Sequence, residues 1–532
     1  MLGHVAFVLT LIAVTLIAWM IADRLNVPYT VVLTLCGLVY AVLPGPQLHL
    51  NPDVLLVLVI PPLVYSAALR SSLLAIRTNW RPIISLSVVL VLLTTLAVGG
   101  LVSLVVPRIT LAVGLVLGSS VAPTDPIAAL SVGSRVGLPP RLMTLIGGES
   151  LLNDATGLTA WQVAVAATVS GVFSPALAIG KFLLAAAGGL LIGAGIGYLL
   201  RLARPLFRNP LLATTVSLAT PFAAYLAGQE AHVSGVLAVV IAGLMASHHS
   251  PLEESGPSRL QTDAVWRLVD FVLEGLVFLF IGQQLPSVLR GLKDEPASVT
   301  AAAIIVTLLA VLLVRPAWLF LTQTVPGWLG WRLGDPNPTL TGREATAVTW
   351  AGTRGVITLA AIFSVPLVTA GGRPFPDRYL LQLCAYLVVL LTLVGQGLTF
   401  RPLLRRLGLR ANAADEAQVR HDARLAALGS ALNVVSEMQS DHQIPADVAD
   451  SLRAGIRRRA DRARARISML EESEGVLTPS PELRTMIMAQ HAVIEAQREE
   501  LVRWRDSGRL PDESLRQLQF ELDLEERALP QR

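Results

Sequence analysis

Charge is scarce in this chain. Only 15% of its 532 residues are Asp, Glu, Lys or Arg, against 53% hydrophobic, where a soluble domain carries about 25% charged residues. With a mean hydropathy of +0.60, an ordinary water-soluble globule is excluded. Cysteine is nearly absent: Cys36 and Cys384 lie in separate apolar runs, so there is no disulfide framework, no CxxC redox pair and no cysteine-held metal. Lysine is confined to Lys181 and Lys293 while arginine is common, a bias of coding and not of function. The formal net charge of +4 is too small to imply nucleic acid. No phosphate loop of the Gly-x-x-x-x-Gly-Lys type occurs, which removes the usual signature of nucleotide-driven work. Nor is there a repeated carbonyl filter or charged ring of the channel kind.

What is present is a succession of long apolar runs. A helix crossing a hydrocarbon core of about 30 Å needs about 20 apolar residues. Such spans are expected near 4–22, 28–44, 51–69, 81–106, 110–133, 142–170, 176–201, 210–228, 231–247, 263–285, 298–322, 343–366 and 378–400. The first run has no basic segment before it and no small-residue cleavage site after it, so it reads as a retained helix. Composition changes near Arg401, dividing the chain into a membrane domain, 1–400, and a charged domain, 401–532. Apolar residues at three- and four-residue spacing predict tail helices near 415–440, 446–471, 480–506 and 511–527, with Pro445, Pro479, Pro481 and Pro511 at the breaks. Alternate loops carry Arg24, then Arg70, Arg77 and Arg81, then Arg135 and Arg141, and so on to Arg401. They hold about twice the basic residues of the opposite loops. By the positive-inside rule the N-terminus is outside and the C-terminal tail cytoplasmic.

An ionisable group inside an apolar span costs about 2.5–3.5 kcal/mol on insertion scales, so each one is a functional candidate. Three places break the apolar pattern. In Gly118-Ser119-Ser120-Val121-Ala122-Pro123-Thr124-Asp125-Pro126, two prolines remove backbone donors and free carbonyls around residues 119–122 beside Thr124 and Asp125. In Gly148-Glu149-Ser150-Leu151-Leu152-Asn153-Asp154, Ser150 and Asp154 are four apart and share a helix face. Glu149 lies about 140° around from Asp154, so the two acids need not serve one purpose. In Trp350-Ala351-Gly352-Thr353-Arg354-Gly355, two glycines bracket an arginine that keeps its proton and needs a carboxylate; Glu149 is the natural candidate. The two interrupted spans hold corresponding places in two halves of the chain, the pattern of an inverted-repeat transporter. Glu274 and Asp270, four apart, are candidates for a cytoplasmic funnel or for helix packing. His248 and His249, beside Glu253 and Glu254, read as a solvated loop and not as a metal pair.

At these motifs, and over about residues 5–405, the chain resembles the monovalent cation/proton antiporters of the sodium/proton exchanger branch. The resemblance implies an all-α polytopic membrane protein. It would have about 13 transmembrane helices in two inverted repeats with crossed broken helices, a helical cytoplasmic tail and usually a homodimeric assembly. It implies exchange of Na+, or Li+ or K+, for H+ across the cell membrane, with no cofactor and no enzymatic step. Asp154 would alternately hold cation and proton, Asn153 would stabilise its surroundings, and Thr124 and Ser150 would ligate Na+ with it. Asp125 would neutralise half-helix dipoles, and Glu149 and Arg354 would form a structural ion pair. An Asn-Asp pair in place of Asp-Asp resembles the electroneutral exchangers. One departure stands out: where family members often carry an acid after the Pro-Pro of the third span, this chain has Ser66 after Pro61-Pro62-Leu63-Val64-Tyr65. A potassium/proton antiporter of the same fold is the nearest rival. A channel or sensor signalling through the tail is the rival of another class, and a hydrolase with Ser150 as nucleophile lacks a base nearby in sequence.

Overall fold

The computed structural model describes residues 2–25, 27–42, 57–206, 209–292, 296–324, 340–410, 413–468, 470–473, 476–507, 509–510 and 512–527. These residues form two compact units, Met1–Leu409 and Arg410–Arg532. The composition change at Arg401 falls inside the last helix of the first unit, which runs on to Leu407.

The first unit is helical. In chain order it has α1 Leu2–Leu25, α2 Tyr29–Val42, α3 Ile60–Arg70, α4 Leu73–Thr78, and α5 Trp80–Ile84, joined through a π-helical turn at Ser85–Val89 to α6 Leu90–Val105. Next come α7 Leu111–Val121, α8 Ile127–Val136, α9 Pro140–Ser170, α10 Pro175–Ala203, α11 Pro210–Glu230, α12 Gly235–Glu253 and α13 Gly256–Gly291. The last are α14 Ala297–Thr324, α15 Gly342–Trp350, α16 Val356–Phe363 and α17 Arg378–Leu407. Among the described residues five helices, Trp80–Val105, Pro175–Ala203, Pro210–Glu230, Ala297–Thr322 and Arg378–Leu407, are long and apolar enough to cross a membrane, and several shorter apolar helices accompany them. The end of the second expected span and the start of the third lie outside the described residues, as does Lys293.

Local chemistry sets the helix ends. Pro140, Pro175 and Pro210 each open a helix, where a missing N–H costs nothing. Thr341 and Glu344 cap α15 reciprocally, and the side chains of Thr110, Ser234 and Ser255 accept from the first turns of α7, α12 and α13. α8 ends at Gly137, whose φ of 78° is the left-handed conformation that glycine adopts without penalty.

Packing follows the rule for helices in lipid, where small residues and not apolar bulk bring helices together. The buried residues of α10 are Gly189, Gly193 and Gly197, four apart. A Cβ at Gly189 or Gly193 would come within 2.5 Å of the Ser234 or Ala238 carbonyl of α12. The rest of α10 presents Leu183, Leu184, Leu191 and Leu199 outward, as a lipid-facing surface should.

The tail unit has α18 Ala413–Ser440, α19 Ala446–Ser468, α20 Pro481–Asp506 and α21 Asp512–Arg527. The four helices stand where the periodicity expects them, and in the gap between α19 and α20 Leu470–Ser473 and Val476–Pro479 pair as an antiparallel hairpin in register Leu470↔Pro479. Val476 and Thr478 are β-branched and favour the extended chain. α20 and α21 are pinned by Arg498, which bonds Asp523 and Glu526, and by His491 at 3.4 Å from Glu526. At the start of α20 the Glu482 carboxyl is held below its usual range by its own backbone N–H and the Ser480 hydroxyl, as an acid at a helix N-terminus should be.

Candidate functional site

Two helices of the first unit are interrupted, and the interruptions meet. Pro123 and Pro126 separate α7 from α8; Gly352 and Gly355 separate α15 from α16. The Asp125 N–H donates to the Thr353 carbonyl at 2.7 Å, and the Thr353 hydroxyl returns a bond to the Asp125 carbonyl. The Asp125 carboxylate accepts the Ile127 N–H at 3.0 Å and also that of Val356. It therefore stands at the N-terminal ends of α8 and α16 together, where two helix dipoles are positive. A Cβ on Gly355 would lie 1.7 Å from Asp125 Oδ2, so only glycine permits this approach. The variant Gly355→Ala should lose most of its sodium-driven proton flux and melt at lower temperature than the parent. Unchanged flux and melting would show that the breaks can separate freely.

Arg354 is the counterpart at the negative ends. Its Nε donates to Val121 O at 3.1 Å and its Nη1 to Gly352 O, so one guanidinium answers carbonyls at the C-terminal ends of α7 and α15. Val121 is among the residues expected to have carbonyls freed by Pro123. Thr392 of α17 accepts the Arg354 N–H at 3.1 Å. The expected contact between Arg354 and Glu149 is thereby corrected. The Glu149 carboxylate is gripped at both oxygens by Arg315 of α14, with Nη2 at 2.9 Å from Oε2 and Nη1 on Oε1. Arg315 also donates to Val348 O at 2.8 Å from Nη2 and at 3.2 Å from Nε. A Cβ on Gly352 would meet Arg315 Nε at 2.6 Å, so the second break makes room for this pair. Glu149 is 1% exposed and Arg315 3%. Sequence reasoning passed over Arg315, although a lone arginine in the apolar run 298–322 was the available signal.

Around this frame the motif residues divide by helix face. Thr124 Oγ1 donates to Glu149 Oε1 at 3.1 Å and accepts from Asn153 Nδ2 at 2.7 Å, while Thr124 O accepts from the same amide at 3.3 Å. Asn153 is fully buried, and its Oδ1 has no hydrogen-bond partner among the described residues. Gly157, whose Cβ would stand 2.2 Å from Pro123 Cγ, lets the first break seat on α9 within a turn of Asp154. Asp154 and Ser150 turn the other way. Both line a cavity of about 800 Å³ together with Thr124, Asp125, Asp270 and Glu274. Neither Asp154 nor Ser150 has a protein hydrogen-bond partner among the described residues, whereas Glu149 is fully engaged.

The remaining candidates fall into place around that cavity. Ser66 is 1% exposed and is not in its wall; its hydroxyl donates to Asp270 Oδ2 at 2.7 Å, and Arg70 pairs with the same oxygen. Glu274 is in the wall, and its Oε2 meets no partner among the described residues. His248 and His249 sit in the last turns of α12 and not in a loop, with His249 Nδ1 at 2.8 Å from Met245 O. Glu254 pairs with Arg204 at 2.9 Å.

Comparison with known proteins identifies the family and the fold. The model of the family described as "Sodium/hydrogen exchanger, transmembrane" matches residues 11–406. An uncharacterized Na(+)/H(+) exchanger of Mycobacterium tuberculosis is 29% identical over 98% of this chain and 95% of its own length. The sodium, potassium, lithium and rubidium/H(+) antiporter of Bacillus subtilis is 33% identical over 73% of this chain and 60% of its own. The sodium proton antiporter MjNhaP1 of Methanocaldococcus jannaschii shares the fold at a TM-score of 0.61, with 17% identity, over 76% of this chain and 98% of that one. The chain belongs to the transmembrane sodium/hydrogen exchanger family and is an antiporter, not an enzyme.

Proposed function

We propose that this chain exchanges Na+ for H+ with Asp154 as the carrier group, Ser150 and Thr124 as ligands of the cation, and Asn153 as the support of Thr124. The observation that carries this reading is the contrast on α9. Glu149 is neutralised by Arg315, while Asp154, one helix face away, enters a cavity with no protein donor. A carboxylate so placed is answered by a proton or by a monovalent cation, and each displaces the other. Either loaded form is nearly neutral, and the empty anion in a low-dielectric surround costs several kcal/mol. The part carrying the site therefore crosses between faces only when loaded, and one ion's gradient drives the other. Asp125 and Arg354 hold the crossing by answering the dipole ends that the two breaks expose.

The same reading places the N-terminus outside and the Arg-rich loops and tail in the cytoplasm. It takes the two interrupted helices as equivalent members of inverted repeats, the tail from about Arg401 as a separate cytoplasmic domain and the working unit as a homodimer. Exchange is electroneutral, one cation for one proton, in the service of pH and cation homeostasis. Potassium is the second reading, because Ser66 supplies a hydroxyl bound to Asp270 and no acid in the cavity wall, and because the Bacillus relative's name includes potassium. Dye-monitored proton flux in proteoliposomes, with sodium, lithium and potassium offered in turn, tests both. Sodium giving the largest flux supports the first reading and potassium the second. No cation-driven flux would sink the proposal.

A further inference from the structure

Asp125, Asp154, Asp270 and Glu274 put four carboxylates into the wall of the ion cavity, and they divide by what answers them. Asp125 receives the N–H groups of Ile127 and Val356. Asp270 is held at Oδ2 by the Ser66 hydroxyl, at 2.7 Å, and by Arg70. Asp154 and Glu274 are left. Neither arginine of the wall is paired with Glu274, since Arg70 is bound to Asp270 and Arg267 pairs with Asp263 at 3.0 Å. Glu274 is only 5% exposed. Its Oε2 is enclosed without a partner. Neither oxygen receives a hydrogen bond among the described residues, so Oε1 is the one left to the cavity.

The surroundings of Glu274 supply no other charge. Of the helices packed on α13, α1 gives the wall Trp19, α2 gives Tyr29, and α16 gives Val356, Ile357 and Thr358. Only α3 adds a charged group, the engaged Arg70. A glutamate so placed makes no protein bond that a neutral side chain of its size would lose. A buried charge is costly when unanswered, so the charge itself is what this position retains. Two unanswered carboxylates in one cleft with apolar walls focus the field and concentrate cations there, by about 10-fold or more.

We propose that Glu274 is an affinity-determining residue of the exchange: from the α13 wall it draws the monovalent cation into the cavity and raises its occupancy at Asp154. Asp154 belongs to α9, which is locked to the two broken helices, whereas Glu274 belongs to α13, outside that frame. Glu274 therefore loads the carrier and does not itself carry. The inference rests on the reading of Asp154 as the carrier group. It assigns to Glu274 the sodium concentration at which exchange saturates, and not the maximal rate.

The test separates charge from shape. Glu274→Gln keeps the shape and removes the charge, while Glu274→Asp keeps the charge and shortens the side chain. KM for sodium and maximal proton flux are measured in proteoliposomes at one pH for the parent, both variants and Asp154→Asn. Loss of the charge in Glu274→Gln raises KM about tenfold and changes maximal flux far less, and Glu274→Asp returns KM most of the way to the parent's. Glu274→Met, neutral and of similar length, makes the same comparison where the amide folds poorly. An unchanged KM in a folded neutral variant overturns the role of Glu274 and leaves Asp154 standing. So does a loss of maximal flux at constant KM, or a failure of both neutral variants to fold. Flux retained by Asp154→Asn removes the carrier reading, and this inference falls with it.

Discussion

Replacing Asp154 by Asn reduces sodium-driven proton flux in proteoliposomes to that of protein-free vesicles and leaves the protein folded. The amide is nearly isosteric with the carboxylate but cannot ionise, so it offers a cation no charge and releases no proton. The expectation that folding survives comes from the structure: the Asp154 side chain lines a cavity and has no hydrogen-bond partner among the described residues, so no protein contact is lost. Flux should be measured alongside a melting curve in detergent, because loss of both together would make Asp154 a structural residue. Sodium-driven flux retained by a folded Asp154→Asn protein would move the carrier role elsewhere, with Glu274 the first place to look because it too enters the cavity without a partner.

The second large effect is on folding. Arg315→Ala leaves Glu149 charged and buried at 1% exposure with only the Thr124 hydroxyl to answer it. Breaking a buried pair from one side typically costs about 3–5 kcal/mol, a large share of the stability of a folded domain. The folded yield of Arg315→Ala and of Glu149→Ala should collapse. Replacing both partners at once with Arg315→Met and Glu149→Gln should recover much of the yield, because no uncompensated charge then remains. Fluorescence-detected gel filtration reads this directly. Single variants as abundant and monodisperse as the parent would contradict the assignment of the pair.

The comparison between sequence and structure turns on what each kind of signal contains. Asp154, Ser150, Asn153 and Thr124 stood out as candidates because polar groups in apolar spans are expensive and therefore conspicuous. Their division into two faces was legible too, since helical geometry alone separates Glu149 from Asp154. The partner of Glu149 was not. Arg315 and Arg354 are both arginines in apolar runs, and choosing between them requires knowing which helix crosses α9 at that level. The duty of Arg354 was equally hidden, since it answers carbonyls at Val121 and Gly352, and backbone groups leave no trace in composition. The breaks themselves were marked, one by Pro123 and Pro126, the other by Gly352 and Gly355. The tail hairpin escaped because 470–479 is too short for periodicity to distinguish strand from frayed helix. Its β-branched Val476 and Thr478 were the only hint.

The central claim is that one carboxylate holds a cation or a proton in turn. Calorimetric titration of sodium into the purified protein, repeated in buffers of different ionisation enthalpy, reads it without any membrane. The account predicts a proton released for each sodium bound, an apparent sodium affinity that falls as pH is lowered, and loss of both in Asp154→Asn. Sodium binding with no proton release and no dependence on pH would contradict it.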